Sequence, residues 1–249
     1  MPSDPPADPF AHHPGLRNRL TATEASFFRS FTFERLVAQH PHLEALRGWA
    51  HDDATRDRLR AEALAGHAGD LWVFAYGSLM WDPALRFTEL RRARVADRQR
   101  RMILLDAKGG RGTPEAPGLM AALDRGTGCE GLVFRLAAGA VPEETAILFR
   151  REMFGPGYLP RFVEADTALG PVRALTFLAD HDAPGVRPDL TQDEQVALIA
   201  TGAGVLGTSR DYLAGIVAQF EALRISDPDC VALLDAVDAH RAQLEERLA

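Results

Sequence analysis

Two stretches of this chain carry residue types suited to proton transfer or anion binding. The first is Tyr76-Gly77-Ser78-Leu79-Met80-Trp81, which ends an apolar run begun at Leu71. A strand that stops at Tyr-Gly-Ser presents consecutive backbone N–H groups, because Gly77 admits close approach and unusual φ. Such a loop binds a carboxylate or holds a developing oxyanion. On spacing alone an ordinary strand-ending turn is the favoured reading. Ser78 lacks the flanking G-x-S-x-G elbow, which argues against a serine nucleophile. The second stretch contains Glu152, on the same helical face as Leu148 and Phe149. An apolar face desolvates a carboxylate, raises its pKa and makes it a better proton acceptor. The competing reading is a surface glutamate paired with Arg150 or Arg151, and composition favours that one.

Three other features are weaker. TGAGVLG (201–207) contains G-x-G-x-x-G, with Glu221 about 20 residues on. A dinucleotide fold needs a strand before the glycines, yet Thr191 and Glu194 stand at capping-box spacing and predict a helix there. A helix–loop–helix fits better than a cofactor loop. The arginines at 86, 91, 92, 94, 98, 100 and 101 are interspersed with Glu89 and Asp97, which reads as a solvated face. The histidines show no metal-ligand spacing, and Cys129 and Cys230 are too few for a zinc site or a disulfide framework.

These residues need elements to hold them. LWVFAY (71–76), RRMILL (100–105), LMAAL (119–123), GLVFRL (131–136) and VRALTFL (172–178) read as strands. Helices are predicted over 142–153, 192–201, 209–224 and 229–247, with Pro142, Glu143 and Glu144 suiting a first turn. Strands in the middle and helices at both ends predict an α+β fold around a mixed or barrel-like sheet. Residues 1–69 read as a helical extension packed on a main domain of residues 70–249. Its first 15 residues, rich in Pro, Asp and His, are expected to be poorly ordered.

Composition narrows the function classes further. The 249 residues are 46% hydrophobic and 25% charged, an ordinary globular profile. A net charge of −7 argues against nucleic-acid binding by phosphate neutralisation. Of the 28 basic residues all but Lys108 are arginine, and Gly109 and Gly110 follow that lysine, which rules out a phosphate loop. No run is long and apolar enough for a membrane span or signal peptide, so a cytoplasmic protein is expected.

Taken together, WVFAYGSLMW (72–81), RGTPEAPGLMAAL (111–123), GCEGLVFRL (128–136), LFRREMFGPGY (148–158) and GTSRDYL (207–213) resemble the ChaC-type γ-glutamylcyclotransferases, which act on glutathione. The resemblance spans about residues 71–240 and reverses the bland readings of the 76–81 loop and of Glu152. It implies a small mixed β-barrel flanked by helices. It also implies a γ-glutamyl-binding segment at Val73, Phe74, Ala75, Tyr76, Gly77 and Ser78, with Leu79 beside it. Glu152 matches the family's catalytic glutamate and Tyr212 a tyrosine near the substrate. Arg111 becomes a candidate for the substrate's carboxylates. The implied partner is a small γ-glutamyl compound, with no cofactor, metal, nucleic acid or membrane, and the oligomeric state is left open. The chain departs from the pattern at Ala75, where glycine is frequent, and at Met153-Phe154-Gly155-Pro156, longer than the usual Gly-Gly link. It also lacks the histidine that often precedes the position of Arg111. The rival readings are a cyclotransferase for other γ-glutamyl amines, a non-catalytic γ-glutamyl-binding module, and a dinucleotide-dependent oxidoreductase built on the 202–207 glycines.

Overall fold

Seven strands pair into one sheet in the computed structural model, which describes residues 4–248. They are β1 (Leu71–Ala75), β2 (Glu89–Val95), β3 (Arg98–Asp106), β4 (Gly118–Arg125), β5 (Cys129–Leu136), β6 (Tyr158–Thr167) and β7 (Gly170–Ala179). In the order β1-β5-β2-β6-β7 they form a ring, because β7 also pairs with β1 and closes a five-stranded barrel. β4 and β3 continue the sheet outward from β7. Closure removes the exposed edges that these five strands would otherwise present. The predicted α+β class with a barrel-like sheet is therefore the observed one.

The pairing of β7 creates an opening. Its residues Ala174 and Leu175 lie parallel to Trp72 and Val73 of β1, whereas Leu178 pairs with Leu123 of β4. β7 thus changes partner just beyond the end of β1, and the 76–80 loop leaves the barrel at that split. Phe74, Phe134, Phe149 and Phe177 are among the largest fully buried side chains. Phe149 meets Phe177 edge-on at 5.5 Å, so the helix carrying Glu152 packs directly on β7.

The main helices are α3 (Val141–Glu152), α4 (Gln192–Thr201), α5 (Ser209–Leu223) and α6 (Pro228–Leu248). Thr191 and Glu194 do form a capping box at the start of α4. After α4 the glycine-rich segment makes a two-residue hairpin, Ala203–Gly204 against Gly207–Thr208, and enters α5. A helix precedes the glycines where a dinucleotide fold needs a strand.

Two strands escape the sequence pattern. In β2 the arginines hide the alternation, for Arg91 is buried over the Trp72 ring at 4.6 Å and bonds Glu89 at 2.6 Å. Arg100 is also buried, so the run at 86–101 is not a uniformly solvated face. In β6, Pro160 interrupts a mixture of charged and apolar residues.

The extension is less helical than expected. Among its described residues only α1 (Phe33–Gln39) and α2 (Asp53–Ala63) are α-helices, and short 3-10 segments at Pro14–Leu16, Thr23–Ala25, Phe27–Ser30 and Pro41–Leu46 supply its other helical turns. Arg29 locks it to the domain, donating to the fully buried Glu144 at 2.5 and 2.9 Å. Within the stretch expected to lack order, residues 9–13 contact β2 and the residues just before it. Leu90 donates its N–H to the Pro9 carbonyl at 3.1 Å, Phe10 packs on Phe87 at 5.5 Å, and His12 reaches Glu89 at 3.0 Å. Such isolated contacts leave no periodic trace in a sequence. Residues 1–3 of that stretch lie outside the described residues. Among those described, no helix is long and apolar enough to cross a membrane.

Candidate active site

A cleft of about 700 Å³ gathers around the split in the barrel. Its lining comes from the loop after β1, the end of α3, the 104–111 segment, Tyr158, Phe177, Tyr212 of α5 and the extension.

Glu152 stands in this cleft as the last residue of α3, with 15% of its side chain exposed. Its carboxylate lies 3.0 Å from Nε of Arg151. Burial pushes the carboxyl above the ordinary glutamate range, outweighing the opposing pull of the Arg151 cation. A carboxylate in that state accepts a proton more readily than an exposed one. Glu152 is thus buried as the apolar helix face predicts; it pairs with Arg151 but is not a surface glutamate.

Arg151 does more than neutralise. Its Nη2 donates to Ser78 Oγ at 2.8 Å, its Nη1 donates to the Asp82 carbonyl, and its guanidinium stacks 4.0 Å over the Phe28 ring. The Ser78 hydroxyl is therefore held by a cation rather than activated by a base. Arg100, with no side-chain exposure, donates at 2.6 Å to the Tyr76 carbonyl. Two buried arginines thus fix the strand-end loop.

The conformation of Gly77 corrects one expectation. Its φ is −124°, so no positive φ demands glycine. Close approach does, since a Cβ there would lie 2.7 Å from the Tyr212 hydroxyl. Tyr76, Tyr158 and Tyr212 surround the base of the cleft, and burial raises all three phenols, Tyr212 to about 12. All three keep their protons at neutral pH. Tyr76 donates to the Phe177 carbonyl at 2.7 Å and Tyr158 to the Ala121 carbonyl at 2.8 Å. Arg111 lies 5.4 Å from the Tyr212 ring centroid, half-buried at the cleft wall.

Of the residues singled out from the sequence, Tyr76, Gly77, Ser78, Leu79, Arg111, Glu152 and Tyr212 share this cleft. Val73, Phe74 and Ala75 do not line it. All three are fully buried in β1, where their side chains pack the barrel. Sequence reasoning missed the clamp formed by Arg151, and it missed Tyr158 and the aromatic residues of the extension. The cluster Phe27, Phe28, Phe31 and Phe33 was the available signal, but it also fits a helix stripe.

The geometry agrees with the wider comparisons. Residues 71–240 match the family described as ChaC-like protein. The chain is 33% identical over 190 residues to an Escherichia coli protein named glutathione-specific gamma-glutamylcyclotransferase, covering 76% of this chain and 82% of that one. It is 28% identical over 176 residues to the Danio rerio glutathione-specific gamma-glutamylcyclotransferase 1, covering 69% and 88% respectively. Among solved structures, the yeast cyclotransferase specific to glutathione superposes with a TM-score of 0.64 at 21% identity, covering 70% of this chain and 97% of the yeast chain. That last likeness is one of fold. The extent of the family match and the identity to the bacterial protein place this chain in the ChaC-like family.

Proposed function

We propose that the protein is a γ-glutamylcyclotransferase that converts glutathione to 5-oxoproline and Cys-Gly. The observation that carries the reading is Glu152, a largely buried carboxylate of raised proton affinity facing the cleft beside the 76–79 loop. The names of the bacterial and fish relatives supply the substrate.

In a γ-glutamyl amide the substrate's own α-amine attacks the side-chain carbonyl and closes a five-membered lactam. The C–N bond to the cysteine nitrogen breaks as the ring bond forms. Because the nucleophile is tethered, holding it in a near-attack pose supplies roughly 7–11 kcal/mol of the barrier. Glu152 takes a proton from the α-ammonium and returns one to the departing amine, acting as base and then as acid. Backbone N–H groups of the fixed 77–79 loop orient the γ-glutamyl group or hold the tetrahedral oxyanion. Arg111 meets a substrate carboxylate. The two buried free thiols, Cys129 and Cys230, suit a reducing compartment, and we place the reaction in the cytoplasm. Purified protein incubated with glutathione should yield 5-oxoproline detectable by mass spectrometry. Absence of product at high enzyme concentration overturns the reading.

A further inference from the structure

The chain that precedes the family's matched region builds one wall of the catalytic cleft. Residues 71–240 carry the family match, whereas Phe28, Phe31, Leu43, Leu46 and Trp49 lie before it and line the cleft. Every side chain that this extension contributes to the lining is aliphatic or aromatic.

The wall is fitted to the site. Phe154, two residues past Glu152, packs ring to ring on Phe31 at 5.6 Å, Phe33 at 6.0 Å and Trp49 at 6.1 Å. The His51 N–H donates to the Phe154 carbonyl at 2.9 Å. A Cβ on Gly155 would stand 2.4 Å from the Trp49 ring, so the link after α3 and the extension meet in van der Waals contact.

The wall does not match the Cys-Gly half of glutathione, which offers a thiol, an amide and a carboxylate. Lys108 and Arg111 line the same cleft and suit that carboxylate, with Lys108 Nζ 5.5 Å from the Trp49 ring centroid. A large apolar wall beside two cations therefore calls for a ligand with both an acid group and a bulky apolar one. We infer that the extension forms a specificity pocket for γ-glutamyl peptides whose second residue carries a large apolar side chain. This rests on the cyclotransferase reading of Glu152. Glutathione bearing an alkyl or aryl group on sulfur has that chemistry, and so has γ-glutamyl-phenylalanine. The reaction is unchanged: the α-amine forms the lactam bond, the same amide bond breaks, and the apolar group departs with the amine. No co-reactant is needed.

The test compares kcat/KM of the full chain for S-benzylglutathione against glutathione, and for γ-glutamyl-phenylalanine against γ-glutamyl-alanine. Burial of a phenyl group predicts a preference of about tenfold or more for the apolar member, expressed mainly in KM. A preference in both pairs points to γ-glutamyl peptides generally, and one in the first pair alone points to S-substituted glutathione. Either supports the pocket. Glutathione and γ-glutamyl-alanine turned over as well as their apolar counterparts overturns it while leaving the cyclotransferase reading intact. Turnover of none of the four overturns both. Leu46→Ser, a half-buried change in the wall, should lower the S-benzylglutathione preference roughly threefold or more. An unchanged preference in this variant, with a wild-type circular dichroism spectrum, counts against the pocket. The wild-type comparison stands even if the variant does not fold.

Discussion

Arg151 and Ser78 are 73 positions apart in the chain and joined by a 2.8 Å hydrogen bond. The same guanidinium lies 3.0 Å from Glu152, so one buried cation couples the proposed base to the loop proposed to hold the reacting carbonyl. The side chain next to the base in sequence thereby sets its distance from a loop on a different element. That coupling and the burial around it lead to four expected outcomes.

Glu152→Gln keeps size and hydrogen bonding but cannot take up a proton. We expect the rate of 5-oxoproline release to fall about 10²- to 10⁴-fold, with glutathione still raising the melting temperature. Near-wild-type turnover would remove Glu152 from the mechanism.

The acid limb of kcat/KM should have its midpoint above the ordinary glutamate range, since burial raises the Glu152 carboxyl and the base form is lost as pH falls through that value. The raised value also bears on stability. A carboxyl with higher pKa in the folded state stabilises the fold below its unfolded pKa, and that contribution is lost as pH rises through the folded value. Glu152→Gln should therefore melt above wild type at pH 7, with the gap narrowing toward about pH 4. A gap independent of pH would show that burial does not perturb this carboxyl.

Gly77→Ala introduces a methyl group 2.7 Å from the Tyr212 hydroxyl but 3.8 Å from its ring carbon Cζ. Overpacking of this kind costs about 1–3 kcal/mol. Adding Tyr212→Phe removes the clashing oxygen, so the double variant should recover much of the stability lost by Gly77→Ala. Chemical denaturation of the two single variants and the double variant measures the coupling, and strict additivity would refute the contact.

Arg151→Met leaves a mostly buried carboxylate without its countercharge and frees Ser78 and the Asp82 carbonyl. We expect roughly 3–5 kcal/mol lower stability. In whatever fraction folds, the acid limb should move to higher pH, because loss of the cation raises the Glu152 pKa further. A pH profile that does not move would mean that Arg151 does not tune the base.

Local patterns and long-range pairing contributed different parts of this structure. The runs at 71–76, 131–136 and 172–178 announced their strands because nearly every residue is apolar and most are buried. The cap at Thr191 announced α4 because its bonds span three residues. β2 was hidden because Arg91 and Glu89 are buried as an ion pair, and a pair looks like two exposed charges until the strands that cover it are known. The 76–79 loop and Glu152 were legible as candidates from residue type and apolar surroundings, but their shared cleft was not. It depends on β7 changing partners at Leu178, which no local window contains.

The sequence by itself determined an α+β chain with a strand-end loop, a carboxylate on an apolar helix face, and chemistry that leaves little to lysine. Tertiary structure alone decided that the side chains of Val73, Phe74 and Ala75 pack the barrel, and that Arg151 and Arg100 clamp the loop. It also brought aromatic residues of the extension into the cleft that Glu152 lines. The reason is physical. Propensity, capping and hydrophobic period act over a few residues, whereas burial, desolvation and close approach depend on partners a hundred positions away.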